Sequence, residues 1–186
     1  MAGVASGQGL VVDRPVGPYV VDLRGSMIGV PGDPVFFPPV GETSTIPARA
    51  FGFEVGAHVY PFSLGPARLG IGASYLRGRG TVPEPGTTVA NMSALVPQVS
   101  FNFGGRGGWS YLSVGYGNVR VRSTIDDEEA DSKSLDALNY GGGARWFLSD
   151  HLGVGFDVRF HRVSPKASAG TPGFTVLSVT GGIAVR

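Results

Sequence analysis

Seven ionisable side chains interrupt stretches that are otherwise apolar or glycine-rich: Asp22, Arg24, Glu54, His58, Arg145, Asp157 and Arg159. Residues alternate in type around each of them, which puts all seven on the same side of extended segments. Carboxylates and guanidiniums held out of water must pair and hydrogen-bond, because an isolated buried charge is very unfavourable. The expected arrangement is a structural charge network. The alternative is a proton or ion path through exchanging salt bridges.

Other chemistry is poorly supported. A hydroxyl nucleophile needs a base within hydrogen-bond reach, and His161 and Ser164 fall on opposite faces of a regular strand. His58 shares a face with Glu54, but no serine accompanies them. Three His in no ligand spacing and zero Cys point to no metal site, disulfide, thiol chemistry or cofactor. The acidic run Asp126, Asp127, Glu128, Glu129 and Asp131 lacks the central Gly and spaced ligands of a calcium loop. It reads as a solvated loop. A basic set, Arg49, Arg77, Arg79, Arg120, Arg122, Arg162 and Lys166, falls at one end of the extended segments. Guanidinium binds phosphate bidentately, so these residues suit an anionic lipid surface. The plainer reading is snorkelling with no particular lipid partner.

The segments that carry these groups have a period of two. In Leu152-Gly-Val-Gly-Phe-Asp-Val-Arg-Phe-His161, Leu152, Val154, Phe156, Val158 and Phe160 point one way, and the small or charged residues the other. Seven further stretches behave alike, at about 18–30, 48–62, 67–79, 92–103, 109–122 and 135–148, with the last at the chain's end. Pro97 is awkward within the fourth, since it removes a ladder donor. The connections alternate long and short. Long ones run over Pro31–Pro47, Thr81–Asn91, Thr124–Ser134 and Ser164–Gly173; short ones are Ser63–Pro66, Gly104–Gly108 and Ser149–His151.

Composition agrees with this pattern. Gly makes up 31 of 186 residues, more than twice the usual ~7%. Charged residues are only 16%, and the net charge of +1 gives no bulk case for nucleic acid. No run reaches the ~18 apolar residues of a membrane-spanning helix. Such a chain can cross a membrane only as a closed barrel. The fold class predicted is all-β: an eight-stranded antiparallel up-and-down transmembrane β-barrel over residues 17–186, with a flexible N-terminal segment over 1–16. Residues 1–13 show no basic n-region or long apolar h-region, so the chain reads as a mature segment with Met1 added. Aromatic girdles are expected at both membrane interfaces. Tyr60, Phe62, Phe101, Phe103, Trp109, Tyr111, Trp146 and Phe147 would form the one at the short-turn ends, and Tyr75, Tyr116 and Phe160 the other; the plainer reading is ordinary core aromatics at strand ends.

With stretches such as Tyr140-Gly-Gly-Gly-Ala-Arg-Trp-Phe-Leu-Ser-Asp-His-Leu-Gly-Val154, roughly residues 17–186 resemble the small eight-stranded outer-membrane barrels of the OmpA transmembrane-domain, OmpX and OmpW class. One departure is the final Arg186, where such barrels usually end on an aromatic residue. The resemblance implies the bacterial outer membrane, long loops outside and both termini on the periplasmic side. It also implies lipopolysaccharide as the anionic lipid facing the basic collar. The implied function is a monomeric, non-enzymatic structural or interaction scaffold with a salt-bridged, Gly-rich plugged lumen, its long loops open to protein partners. The alternative is a small channel for ions or small hydrophobic molecules, as in the OmpW kind. A soluble lipocalin-type barrel would invert the pattern, apolar inside and polar outside.

Overall fold

The computed structural model describes residues 17–33, 35–37, 46–83, 87–125, 128–166 and 170–186, with the side chains of 128–132 also outside the described set. The segment 1–16 lies outside it as well. Alternating residues form eight strands: β1 (Tyr19–Gly29), β2 (Arg49–Leu64), β3 (Ala67–Val82), β4 (Thr88–Gly105), β5 (Gly108–Ile125), β6 (Glu128–Phe147), β7 (Leu152–Val163) and β8 (Phe174–Val185). Each pairs antiparallel with its sequence neighbours, and β1 with β8 closes the barrel. Closure gives every one of these strands a partner on both sides, which removes the exposed edges of an open sheet.

Three tight turns join β2 to β3, β4 to β5 and β6 to β7 at one end. Gly65, at φ 59, and Gly104, at φ 133, take backbone conformations there that other residues rarely adopt. Both barrel termini lie at that end, where Pro18, Arg106, His151 and Arg186 line one depression. Pro97 sits in register opposite Ala73 of β3. On its other side the β4–β5 ladder is interrupted between Leu95 and Gln98 without a change of register. Proline is accommodated by omitting local pairing, not by a slip.

Two interior layers are stacked along the barrel axis. In the half nearer the tight turns, polar residues point inward: Asp22, Arg24, Ser26, Glu54, His58, Gln98, Asn139, Arg145, Asp157 and Arg159 are all buried. Leu23, Val55, Ile71, Val99, Leu112, Val114, Val154 and Ile183 are exposed on the outer face. In the other half the polarity reverses. Ile28, Ala50, Leu76, Met92, Ala94, Val96, Val119, Val121, Leu135, Ala137, Val163 and Val176 form one buried apolar cluster, while Arg77, Arg79, Arg120 and Arg122 are exposed outside. Parity along each strand is kept; the chemistry on the two faces is what changes. In β3 the inward series passes from Ser74 to Leu76 as the outward series passes from Tyr75 to Arg77.

That reversal corrects two sequence expectations. The connections at Thr81–Asn91 and Thr124–Ser134 are shorter than expected, because β3 continues to Val82, β4 begins at Thr88, β5 reaches Ile125 and β6 starts at Glu128. The outward apolar series ends early, but the strands do not. The interior is also not a salt-bridged plug throughout: its second layer is a hydrophobic core. This core is capped by the segment after β1, where Phe36 and Phe37 are each 1% exposed. Phe36 packs edge-on against Phe174 at 4.8 Å, and Lys133 Nζ lies 5.5 Å above its ring. Lys133 also donates to the Val35 carbonyl at 2.7 Å. Each such aromatic contributes on the order of 1.5–3 kcal/mol by leaving water.

The short-turn girdle needs correction too. Phe62, Phe101, Phe103 and Trp146 are exposed outward, but Tyr60, Trp109 and Tyr111 are buried inside, with Phe147 packed against them. Strand parity puts Tyr60 inward with His58, and parity overrides proximity to a strand end. These rings form the barrel floor: Trp109 stacks on Phe147 at 4.9 Å and meets Tyr60 edge-on at 5.8 Å.

Candidate functional site

The polar layer contains two ion clusters. Asp22 on β1 receives Arg145 of β6 bidentately, at 2.9 Å from Nε and 2.6 Å from Nη2. Arg24 Nη2 reaches the same carboxylate at 2.8 Å, and Arg24 Nη1 donates to Glu54 Oε1 at 3.0 Å. In the second cluster Arg159 grips Asp157 with Nε and Nη2, both at 2.9 Å, and Tyr111 Oη donates to Asp157 Oδ2 at 2.7 Å. Three guanidiniums thus face three carboxylates, and the charge of the two clusters cancels. Arg145 also lies 4.2 Å from the Tyr111 ring centre, which joins the network to the aromatic floor. Glycines make room for it. A Cβ on Gly143 would come within 2.9 Å of Tyr111 Oη and would overlap the Phe156 carbonyl.

Arg159 also fixes the histidines. Its Nη1 donates to Gln98 Oε1 and, at 2.8 Å, to Asn139 Oδ1. A guanidinium can only donate, so both amides must turn their oxygens to Arg159 and their NH2 groups away. Gln98 Nε2 then donates to His58 Nε2 at 2.9 Å. On β7, His161 Nδ1 accepts from Asn139 Nδ2, also at 2.9 Å. Each imidazole accepts through one nitrogen and is neutral. His58 carries its proton on Nδ1, which has no partner among the described residues. His161 carries its proton on Nε2 and donates it to Ser178 Oγ at 3.1 Å.

Ser178, His161 and Asn139 therefore line up like a hydrolytic triad but are wired in reverse. A catalytic base accepts the serine proton; here the imidazole gives its own proton to the serine. All three are buried, at 0%, 3% and 0% exposure. Sequence reasoning paired His161 with Ser164 and missed Ser178. The available signal was inward parity on two strands that the barrel makes neighbours, with His161 in register opposite Val176 of β8.

All seven predicted network residues meet in this interior, although His58 enters through Gln98 and not through an ion pair. The seven basic residues do not form an even ring. Arg49, Arg77, Arg79, Arg120 and Arg122 lie on β2, β3 and β5, while Arg162 is on β7 across the barrel and Lys166 is bridged to Thr171 beyond it. All seven are exposed. The side chains of Asp126, Asp127, Glu128, Glu129 and Asp131 lie outside the described residues.

Residues 28–182 match the family described as outer membrane protein beta-barrel domain. No curated protein matches the sequence. Among solved structures, the fold is similar to Neisserial surface protein A, with TM-score 0.59 and 10% identity over 91% of this chain and 97% of that protein. Ail, the attachment invasion locus protein of Yersinia pestis, superposes with TM-score 0.57 and 12% identity, covering 90% of this chain and 95% of Ail. It has also been solved with the heparin analogue sucrose octasulfate. OprG of Pseudomonas aeruginosa gives TM-score 0.53 and 11% identity over 93% of this chain and 97% of OprG.

Proposed function

The chain belongs to the family of outer membrane protein beta-barrel domains, and from that premise we propose that it is a monomeric, non-enzymatic scaffold of the bacterial outer membrane with a closed lumen. One observation carries this reading: both interior layers are filled, the lower by neutralised ion clusters and the upper by an apolar core capped by Phe36 and Phe37. The void against that core is about 10 Å³, room for no more than a water. Reconstituted in planar bilayers, the protein is expected to show no stepwise conductance in salt on the order of 1 M, where exposed charges are screened within ~3 Å. Discrete, ion-selective openings in the unmodified protein would favour the channel reading.

That alternative, a small channel for ions or small hydrophobic molecules, draws support from the lower layer. Ser26, Ser113 and Thr180 there have buried hydroxyls with no protein partner among the described residues, which suits trapped water. Conduction would still require the apolar layer to open. The reversed Ser178–His161–Asn139 wiring supports a non-enzymatic role.

The exposed basic residues serve as an anchor to lipopolysaccharide phosphates. Beyond the outer apolar belt, β5 continues from Asn118 to its end at Ile125. At ~3.4 Å per residue and ~40° tilt this stretch rises on the order of 20 Å above the hydrocarbon. This wall would stand among headgroups and sugars, where the long connections meet protein partners. Ail's complex with a heparin analogue is a barrel of this fold holding a polyanion. Replacing Arg49, Arg77, Arg79, Arg120, Arg122, Arg162 and Lys166 by Gln should reduce lipopolysaccharide co-purification and flatten its salt dependence. Unchanged co-purification with unchanged salt dependence would leave only snorkelling.

A further inference from the structure

Resting on that anchoring role, we propose that the outer faces of β3, β4 and β5 form one discrete site for a lipid headgroup bearing two phosphates. Strand register builds it. Ser93 lies opposite Arg77 on one side and Arg120 on the other. Two residues further along, Asn91 lies opposite Arg79 and Arg122. Each row therefore has two guanidiniums flanking one neutral hydrogen-bonding side chain. The flanking strands are about 10 Å apart and the rows about 7 Å apart. Arginine side chains on a row can converge on one anion above Ser93 or Asn91, each offering a planar fork. Two rows make two anion positions.

An open depression of about 300 Å³ lies over three of the four arginines, with Arg77, Asn91, Ser93, Arg120 and Arg122 among its lining, and Arg79 adjoins it by register opposite Asn91. Like charges so placed repel, and an anion between them relieves the repulsion.

The level of the grid selects a lipid. Immediately towards the tight turns the outer face carries Tyr75, Tyr116, Ile71, Val99 and Val114, all exposed and apolar or aromatic. On β2, Phe53 and Phe51 lie opposite Arg77 and Arg79 and are 42% and 63% exposed. Rings that reach acyl chains thus stand beside forks that reach phosphates. A soluble polyanion would gain nothing from the rings. Arg162 and Lys166, across the barrel, belong to no such row.

The test uses folded protein in phosphatidylcholine vesicles and measures binding of bisphosphorylated and monophosphorylated lipid A. The bisphosphorylated form is expected to bind about tenfold tighter, one charge-assisted contact set being worth roughly 1.4 kcal/mol. Arg79→Gln with Arg122→Gln should abolish that difference. Arg77→Gln with Arg120→Gln should also abolish it, whereas Arg162→Gln with Lys166→Gln should weaken both lipids alike and preserve it. Folding of each variant is checked by heat-modifiable gel migration. Equal binding of the two lipids overturns the two-phosphate site. If the Arg162 and Lys166 pair matters as much as either row, the discrete site fails while the diffuse collar survives. If no variant changes binding, both fail. Competition by sucrose octasulfate at concentrations equal to the lipid would overturn the assignment to a headgroup.

Discussion

The half of the barrel near the tight turns and the half beyond Tyr75, Tyr116 and Tyr140 are built on the same eight strands with opposite chemistry. The first is polar inside and apolar outside; the second is largely apolar inside and, apart from residues such as Phe51 and Phe53 on β2, basic or polar outside. Lipid is as apolar as leucine, so the first half gains nothing by hiding leucine from it. Its interior is held by ion pairs and hydrogen bonds, from Asp22–Arg145 to Arg159–Asn139. In the second half burial of residues such as Leu76, Val119 and Leu135 in the interior drives packing. We place the membrane boundary at the level where the two faces exchange character, a level written into the side chains, not the backbone.

The largest expected effect comes from breaking the polar layer. Asp22→Ala leaves Arg145 and Arg24 without their shared carboxylate and should destabilise the barrel by about 3–5 kcal/mol, read by urea unfolding in lipid vesicles. Pairing Asp22→Leu with Arg145→Met should recover most of the loss. A loss below ~1 kcal/mol for Asp22→Ala would mean the charges are solvated in a wet lumen, and the contrast between halves would collapse.

In the apolar layer, Leu76→Ala should cost about 3 kcal/mol. Its signature should be local, with faster hydrogen exchange in the β3–β4 hairpin and unchanged gel migration. Equal loss of protection around Asp157 would show that the layers are one cooperative unit.

A smaller effect is expected of Glu54→Gln, which keeps a hydrogen-bond acceptor for Arg24 but removes a charge. A loss of about 1–3 kcal/mol fits a bond to a charged group. No change in stability would separate Glu54 from the network. Smaller again, at about 1 kcal/mol, is Gln98→Leu. Nitrogen-15 spectra should find His58 protonated on Nδ1 and His161 on Nε2 in the unmodified protein. The variant should disturb only His58, and a change at His161 would mean that Arg159 does not set the two independently.

Period-two alternation in the sequence determined the eight strands, their inward and outward faces and the inward placement of Asp22, Arg24, Glu54, His58, Arg145, Asp157 and Arg159, because parity is a local property of an extended chain. Strand ends in β3 to β6 were misread where lipid-facing apolar residues stopped, since a lone sequence does not mark where solvent changes. Tyr60, Trp109 and Tyr111 likewise looked like girdle residues until parity was carried to the strand ends. Only tertiary structure decided that Glu54 pairs with Arg24, that Asp22 holds Arg145 at a separation of 123 residues, and that His161 meets Ser178. Those contacts depend on register and on closure of β1 against β8, and an inward residue does not by itself specify which residue across the lumen it will meet.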